Sequence, residues 1–256
     1  MDMENGQKPN KLYKYVSLDI LEIILTEQTL QFSAPADFND PFDCDVDLVD
    51  FNFNGKINLR VAQEIEILKS QFKDNKQFNA KINDRVFWQK VYKRGQIDKI
   101  KSCRISCFSL RNDIILMWSH YSDKHNGACL EFDNSIEKRF VNLASKDISE
   151  GEVGYEAHQR INYVLEDRRY AIYKLFLNKS ESWSHEKEYR MILINNKPEI
   201  QKFHPNFLLA IYFGVKVTVN QIKSFMTKFS TPDFRHLKYY KGVKDNLSIK
   251  FLPIER

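Results

Sequence analysis

The 256-residue chain holds only eight glycines, seven prolines and four cysteines. So few glycines leave little material for phosphate-cradling turns, and neither a Gly-x-Gly-x-x-Gly run nor a P-loop is present. Four cysteines are too few for a disulfide scaffold. Cys103-x-x-x-Cys107, with Cys129 and His125, offers zinc-ligand residue types but not the short paired spacings of structural zinc sites, so buried free thiols are expected. Nothing resembles a nucleophile elbow, which leaves no compelling Ser-His-Asp order. No apolar run approaches the roughly 18 residues of a membrane span. Met1 to Asn10 is polar and lacks the apolar centre of a signal peptide. A cytoplasmic protein without a membrane partner is expected.

What is present is a globular composition, 43% hydrophobic and 29% charged, in a chain long enough to bury its own core. Aromatics make up 13%, led by 19 Phe and 12 Tyr, which favours strands and stacking surfaces over an Ala-rich bundle. The formal charge of +5 is unevenly spread. Six aspartates and no Lys or Arg fall between Ala36 and Asn52, whereas Lys76 to Lys101 carries eight basic residues against Asp84 and Asp98. Such a basic stretch is a solvated helix face or a surface for a polyanion such as nucleic acid.

Leu12 to Tyr15 reads as a strand, and Ser17 stands as N-cap before Leu18, Leu21, Ile24 and Leu25 at helical spacing. Thr29 to Ser33 reads as a second strand, running into a stiff loop over residues 34–43 with two prolines and several Asx-turn residues. Val61, Ile65, Leu68 and Phe72 open a helical stretch, so residues 56–101 are expected to form an inserted basic helical lobe. Strand character returns at Arg104 to Leu110, Ala128 to Phe132, Tyr189 to Ile194, Leu208 to Phe213, Leu237 to Tyr240 and Leu247 to Leu252. Helices are expected over Asp113 to Tyr121, from Asn134-Ser135 with Glu137, through Tyr170 and Tyr173, and over Asn220 to Phe229. Strands separated irregularly by helices predict one α+β domain over residues 1–256, a mixed or antiparallel sheet flanked by helices.

Three groups of residues carry chemistry. Glu186-Lys187-Glu188 heads an apolar strand, and in extended chain both carboxylates would face one cleft while Lys187 points away. Arg190, on the same face, would hold one of them ionised. The loop Asp37 to Asp43 sets Asn39, Asp40 and Pro41 between Phe38 and Phe42, and is either a self-capped turn or a ligand-binding loop. Trp118, Tyr121 and His125 recur at helical spacing, forming core or the wall of a base-binding pocket. Asp43-x-Asp45-x-Asp47 has Leu48 where an EF-hand loop needs glycine, so no metal site is expected there.

Taken in order, Leu12 to Tyr15, Phe32 to Pro35, Phe38 to Asp43, Cys107 to Ser109, Met117 to Tyr121, Gly127 to Phe132, Lys179 with Trp183, and Glu186 to Arg190 resemble the bacterial domain of unknown function 2971 family. The same plan is similar to the mono-ADP-ribosyltransferases, with a first strand bearing a basic residue, a middle strand with serine and a late Glu-x-Glu. That resemblance implies an NAD-using enzyme of the toxin or phage-defence effector kind, with Glu188 catalytic and Glu186 orienting the acceptor. It places Lys14 on phosphate or ribose and Ser109 in the nicotinamide pocket, with Tyr15, Trp118 or Tyr121 stacking the ring. Ser33, Asn39, Asp40 and Arg190 complete the implied NAD-binding set. Lys14 stands where that superfamily has Arg or His, and Ser106-Cys107-Phe108-Ser109 departs from its usual Ser-Thr-Ser. The acceptor would be nucleic acid or a protein, and an antitoxin-like protein is a further expected partner. Two other readings stand beside it: a non-catalytic module that holds nucleic acid on Lys76 to Lys101, and a metal-dependent nuclease using Asp40, Asp43, Glu186 and Glu188.

Overall fold

The computed structural model describes residues 8–51, 59–135, 139–157, 160–194 and 197–255. Strand β1 (Lys11–Val16) leads directly into helix α1 (Leu18–Glu27), whose first turn is capped by the Ser17 hydroxyl accepting the Ile20 N–H. Leu21, Ile24 and Leu25 form the buried face of α1, as their spacing predicts. Strand β2 (Thr29–Gln31) ends earlier than expected. The Phe32 N–H bonds Glu199 instead, and Ser33 makes an isolated bridge to Ile105. After the 34–43 loop and the short strand β3 (Val49–Asp50) comes the helical insertion: α2 (Leu59–Gln71), α3 (Lys76–Asn79) and α4 (Arg85–Lys101). Residues 56–58 of the expected lobe lie outside the described residues. Val61, Ile65, Trp88, Tyr92 and Ile100 share one apolar cluster with Phe51, Ile105 and Ile192, so the helices are seated on the sheet. The outer side of α4 shows Lys90, Lys93, Arg94 and Lys101 to solvent.

Strand β4 (Arg104–Ser109), helix α5 (Ile115–Tyr121) and strand β5 (Ala128–Asp133) follow. Asn134 and Ser135 form a turn, in which the Asp133 carboxylate accepts the Ser135 N–H. Residues 136–138 of the helix expected from here, Glu137 among them, lie outside the described residues. Next come β6 (Ile148–Glu152), β7 (Gly154–Tyr155), β8 (Ile161–Asn162), α6 (Arg168–Phe176) and β9 (Asn178–Lys179). The chain ends with β10 (Glu188–Leu193), β11 (Ile200–Lys202), β12 (Leu208–Phe213), α7 (Val219–Lys228), β13 (Lys238–Asp245) and β14 (Ser248–Ile254).

Eight strands join one mixed sheet in the order β14-β13-β12-β5-β1-β4-β10-β6, parallel at β12–β13 and antiparallel elsewhere. The architecture is α+β, as the irregular alternation of elements predicts. Within the sheet the pairing is uneven. β1 runs along β5 from Lys11↔Asp133 to Val16↔Ala128, but meets β4 only at Tyr13↔Ser109. The sheet therefore has a seam between β1 and β4. Helices α1 and α7 bury one face through Leu21, Ile24, Leu25 and Ile222. On the other face, α2, α4 and α6 cover the β4–β10 side, and α5 sits over Tyr15 and Cys129.

Candidate active site

The second face opens at the seam into a cavity of about 320 Å³. Tyr13 and Tyr15 of β1 form one wall, and Cys107, Ser109 and Glu188 of β4 and β10 form the opposite wall. Phe38 and Asn39 from the 34–43 loop, with Met117 and Tyr121 from α5, close it over. Ser109 and Glu188 are direct cross-strand partners, so register alone brings them together.

The two glutamates reach the cavity by a route different from the one expected. Glu186 is not extended; it ends a 3₁₀ turn over Glu181–Glu186, and Lys187 is left-handed with φ 47°. Only then does β10 begin at Glu188. The strand alternation assumed for Glu186 therefore does not apply; the left-handed residue turns the chain so that both carboxylates still converge. Ser109 fixes that turn, its hydroxyl donating to the Glu186 carbonyl at 2.6 Å.

Behind the cavity lies a buried ionic cluster. Arg190 is wholly buried and uses all five donors. Its Nε and Nη2 grip Glu188 at 2.8 and 2.9 Å. Nη1 and Nη2 grip Asp43 at 2.9 and 2.6 Å, and Nη1 also reaches the Phe176 carbonyl. Lys179 bridges Glu186 at 2.7 Å, Asp43 at 3.4 Å and Glu188 at 3.5 Å. The Tyr121 hydroxyl donates to Glu186 at 2.7 Å and accepts from the Asn39 amide at 3.2 Å. Burial alone would raise the Glu188 carboxyl, but the Arg190 guanidinium outweighs it and holds the group down at about 2. Burial likewise opposes the charge on Lys179, and the carboxylates of Glu188 and Glu186 more than offset it. Asp37, Asp43, Glu186 and Glu188 stand against Lys14, Lys179 and Arg190, four formal negative charges to three positive. The site as a whole favours a positive centre.

Lys14 behaves as a clasp for the seam. It leaves β1 on the side of Leu12 and Val16, opposite Tyr13 and Tyr15. Its Nζ reaches across the seam to Ser106 Oγ at 3.1 Å and the Cys107 carbonyl at 3.0 Å. That carbonyl faces the unpaired side of β4, and the ammonium supplies its missing partner. Burial lowers the Lys14 pKa. Burial also raises the Cys107 thiol well above its usual range, which disfavours its thiolate.

Of the expected site residues, Lys14, Tyr15, Asn39, Ser109, Tyr121, Glu186 and Glu188 line the cavity together. Trp118 lies outside that lining; it is fully buried against Tyr15, with its Nε1 donating to the Asn112 carbonyl. Arg190 stands behind Glu188 rather than on the cavity surface. Ser33 is at its bridge with Ile105, and the Asp40 carboxylate accepts the Phe42 N–H, capping its own loop. Of the carboxylates considered for a metal, Asp43, Glu186 and Glu188 are ion-paired to Lys179 or Arg190. Among the described residues no group of three or more His, Cys, Asp or Glu side chains is placed to hold a metal ion. All four cysteines are free. Sequence reasoning gave no site role to Lys179 or Tyr155, whose hydroxyl accepts the Glu188 N–H at 2.7 Å. A lone lysine after Leu177-Asn178 carries no signal of burial.

An α+β protein with a seamed mixed sheet, a cavity at the seam and a salt-bridged carboxylate cluster beneath it is the class that fold and site define. Residues 117–191 match the model of the family described as "Protein of unknown function (DUF2971)". The matched segment includes Met117, Tyr121, Lys179, Glu186, Glu188 and Arg190, and leaves out β1 and the 34–43 loop. No curated protein and no solved structure matches the chain.

Proposed function

We propose that the protein is an ADP-ribosyltransferase-like enzyme that cleaves the nicotinamide–ribose bond of NAD in the cavity between β1 and β4. The observation carrying this reading is the convergence of Glu188 and Ser109, cross-strand partners on one side of the seam, with β1 opposite them. Breaking the C–N bond sends its electron pair to nicotinamide, which leaves neutral, and develops positive charge on the ribose. Glu188, kept ionised by Arg190, supplies a fixed negative charge that needs no reorganisation when that cation forms. Tyr13, Tyr15 and Tyr121 offer ring faces and edges for a flat, cationic pyridinium. An acceptor hydroxyl or amine then attacks the ribose, and Glu186, which accepts from the Tyr121 hydroxyl, takes its proton in this reading.

Purified protein should release nicotinamide from NAD. Glu188→Gln should lower the rate about 100- to 1,000-fold, the scale of losing one preorganised electrostatic contact. Glu186→Gln should lower transfer to an added protein or nucleic-acid mixture more than it lowers hydrolysis. Equal release by Glu188→Gln and the parent, with both folded, refutes the proposal.

A further inference from the structure

A cavity of about 320 Å³ is at the small end of ligand pockets, which span about 300–1,000 Å³. It encloses a nucleoside-sized group and not a whole dinucleotide. The sheet face bearing the cavity continues past Tyr13, away from the seam. Tyr13 pairs with Glu131, Glu131 with Ala210, and Tyr212 with Tyr240, so the side chains of β1, β5, β12 and β13 stand on one face. Tyr13 meets Tyr212 edge-on with centroids 6.4 Å apart, and Tyr212 stacks on Tyr240 at 4.6 Å. A polar clasp fixes the row: the Tyr212 hydroxyl donates to Glu131 at 2.5 Å, and Lys11 pairs with the same carboxylate at 2.7 Å. Tyr13 and Tyr240 are partly exposed, Tyr212 is buried between them as their support, and Lys11 and Lys238 stand exposed beside them.

We infer that Tyr13 and Tyr240, held in place by the buried Tyr212, form a second ring-binding subsite, which takes a nucleobase at the far end of the ligand whose other half fills the cavity. The inference rests on the reading of the cavity as a nucleotide site. Continuity through Tyr13, the small cavity and the cationic rim at Lys11 and Lys238 select this occupant. An aromatic row offers a π-face to any base, and lysines alongside suit the phosphates between two nucleosides. An exposed protein segment would need an apolar groove here, and the row instead carries hydroxyls and charges.

The test is calorimetric titration of the full chain with NAD, nicotinamide mononucleotide and AMP, using the parent, Tyr240→Ala and Tyr240→Phe. Tyr240 lies far from Glu188 along the sheet, and thermal melts establish that each variant is folded. Tyr240→Ala should weaken NAD and AMP about 5- to 150-fold, the range of losing one base–aromatic stack. Nicotinamide mononucleotide affinity should stay unchanged, and Tyr240→Phe should bind like the parent. NAD bound equally by the parent and Tyr240→Ala overturns the subsite and leaves the cavity reading intact. AMP binding that depends on Tyr240, with neither nicotinamide ligand bound, supports the subsite and sinks the cavity reading. No binding of any of the three overturns both.

Discussion

Arg190 is the residue on which the site depends. It holds Glu188 and Asp43 with four of its five donors and the Phe176 carbonyl with the fifth, in full burial. Arg190→Met would leave two buried carboxylates with only Lys179 between them, and should destabilise the fold by about 3–5 kcal/mol in urea unfolding. A loss below about 1 kcal/mol would mean that the cluster is open to water. Glu188 sets a pH signature. Its folded pKa, about 2, lies below the ordinary 4.5, so its stabilising contribution is present above pH 4.5 and lost as pH falls towards 2. Urea midpoints should therefore fall across that window, and Glu188→Gln should flatten the fall. This layer was half legible in the sequence. Glu186, Glu188 and Arg190 stood out by type and spacing, and Asp43 only as a carboxylate for a metal. That Asp43 meets Arg190 across 147 residues, and that Lys179 is buried among the three carboxylates, shows only in the fold.

At the scale of elements, Lys187 decides where the glutamates point. Spacing alone suggested extended chain, in which i and i+2 share a face, and a single left-handed residue overrode it. Left-handed backbone strains residues with a Cβ by about 1–2 kcal/mol, and β-branched residues most. Lys187→Gly should therefore hold or raise the melting temperature, while Lys187→Val should lower it and weaken ligand binding. A Val variant as stable as the parent would show that the turn is set elsewhere. Element types were readable where apolar periodicity was strong, as in α1, β10 and β12. Boundaries failed where the backbone found other partners, as after Gln31, where Phe32 bonds Glu199 and Ser33 bridges Ile105 instead of extending β2.

At the scale of the whole molecule, the seam between β1 and β4 is the feature that creates a cavity, and no sequence pattern announces a missing run of ladder bonds. Lys14 reveals its structural role only there. Lys14→Met should leave the Cys107 carbonyl unpaired and lower stability by about 1–3 kcal/mol, even without ligand. Unchanged stability with weakened ligand binding would instead make Lys14 a ligand anchor. The central claim concerns the chemistry at this seam, and the rate of nicotinamide release from NAD between pH 5 and 8 tests it most directly. An ionised Glu188 throughout that range predicts no acid limb from this carboxylate in the parent, and a rate at least about 100-fold lower in Glu188→Gln. No release by the folded parent, or equal rates in the two proteins, would contradict the account.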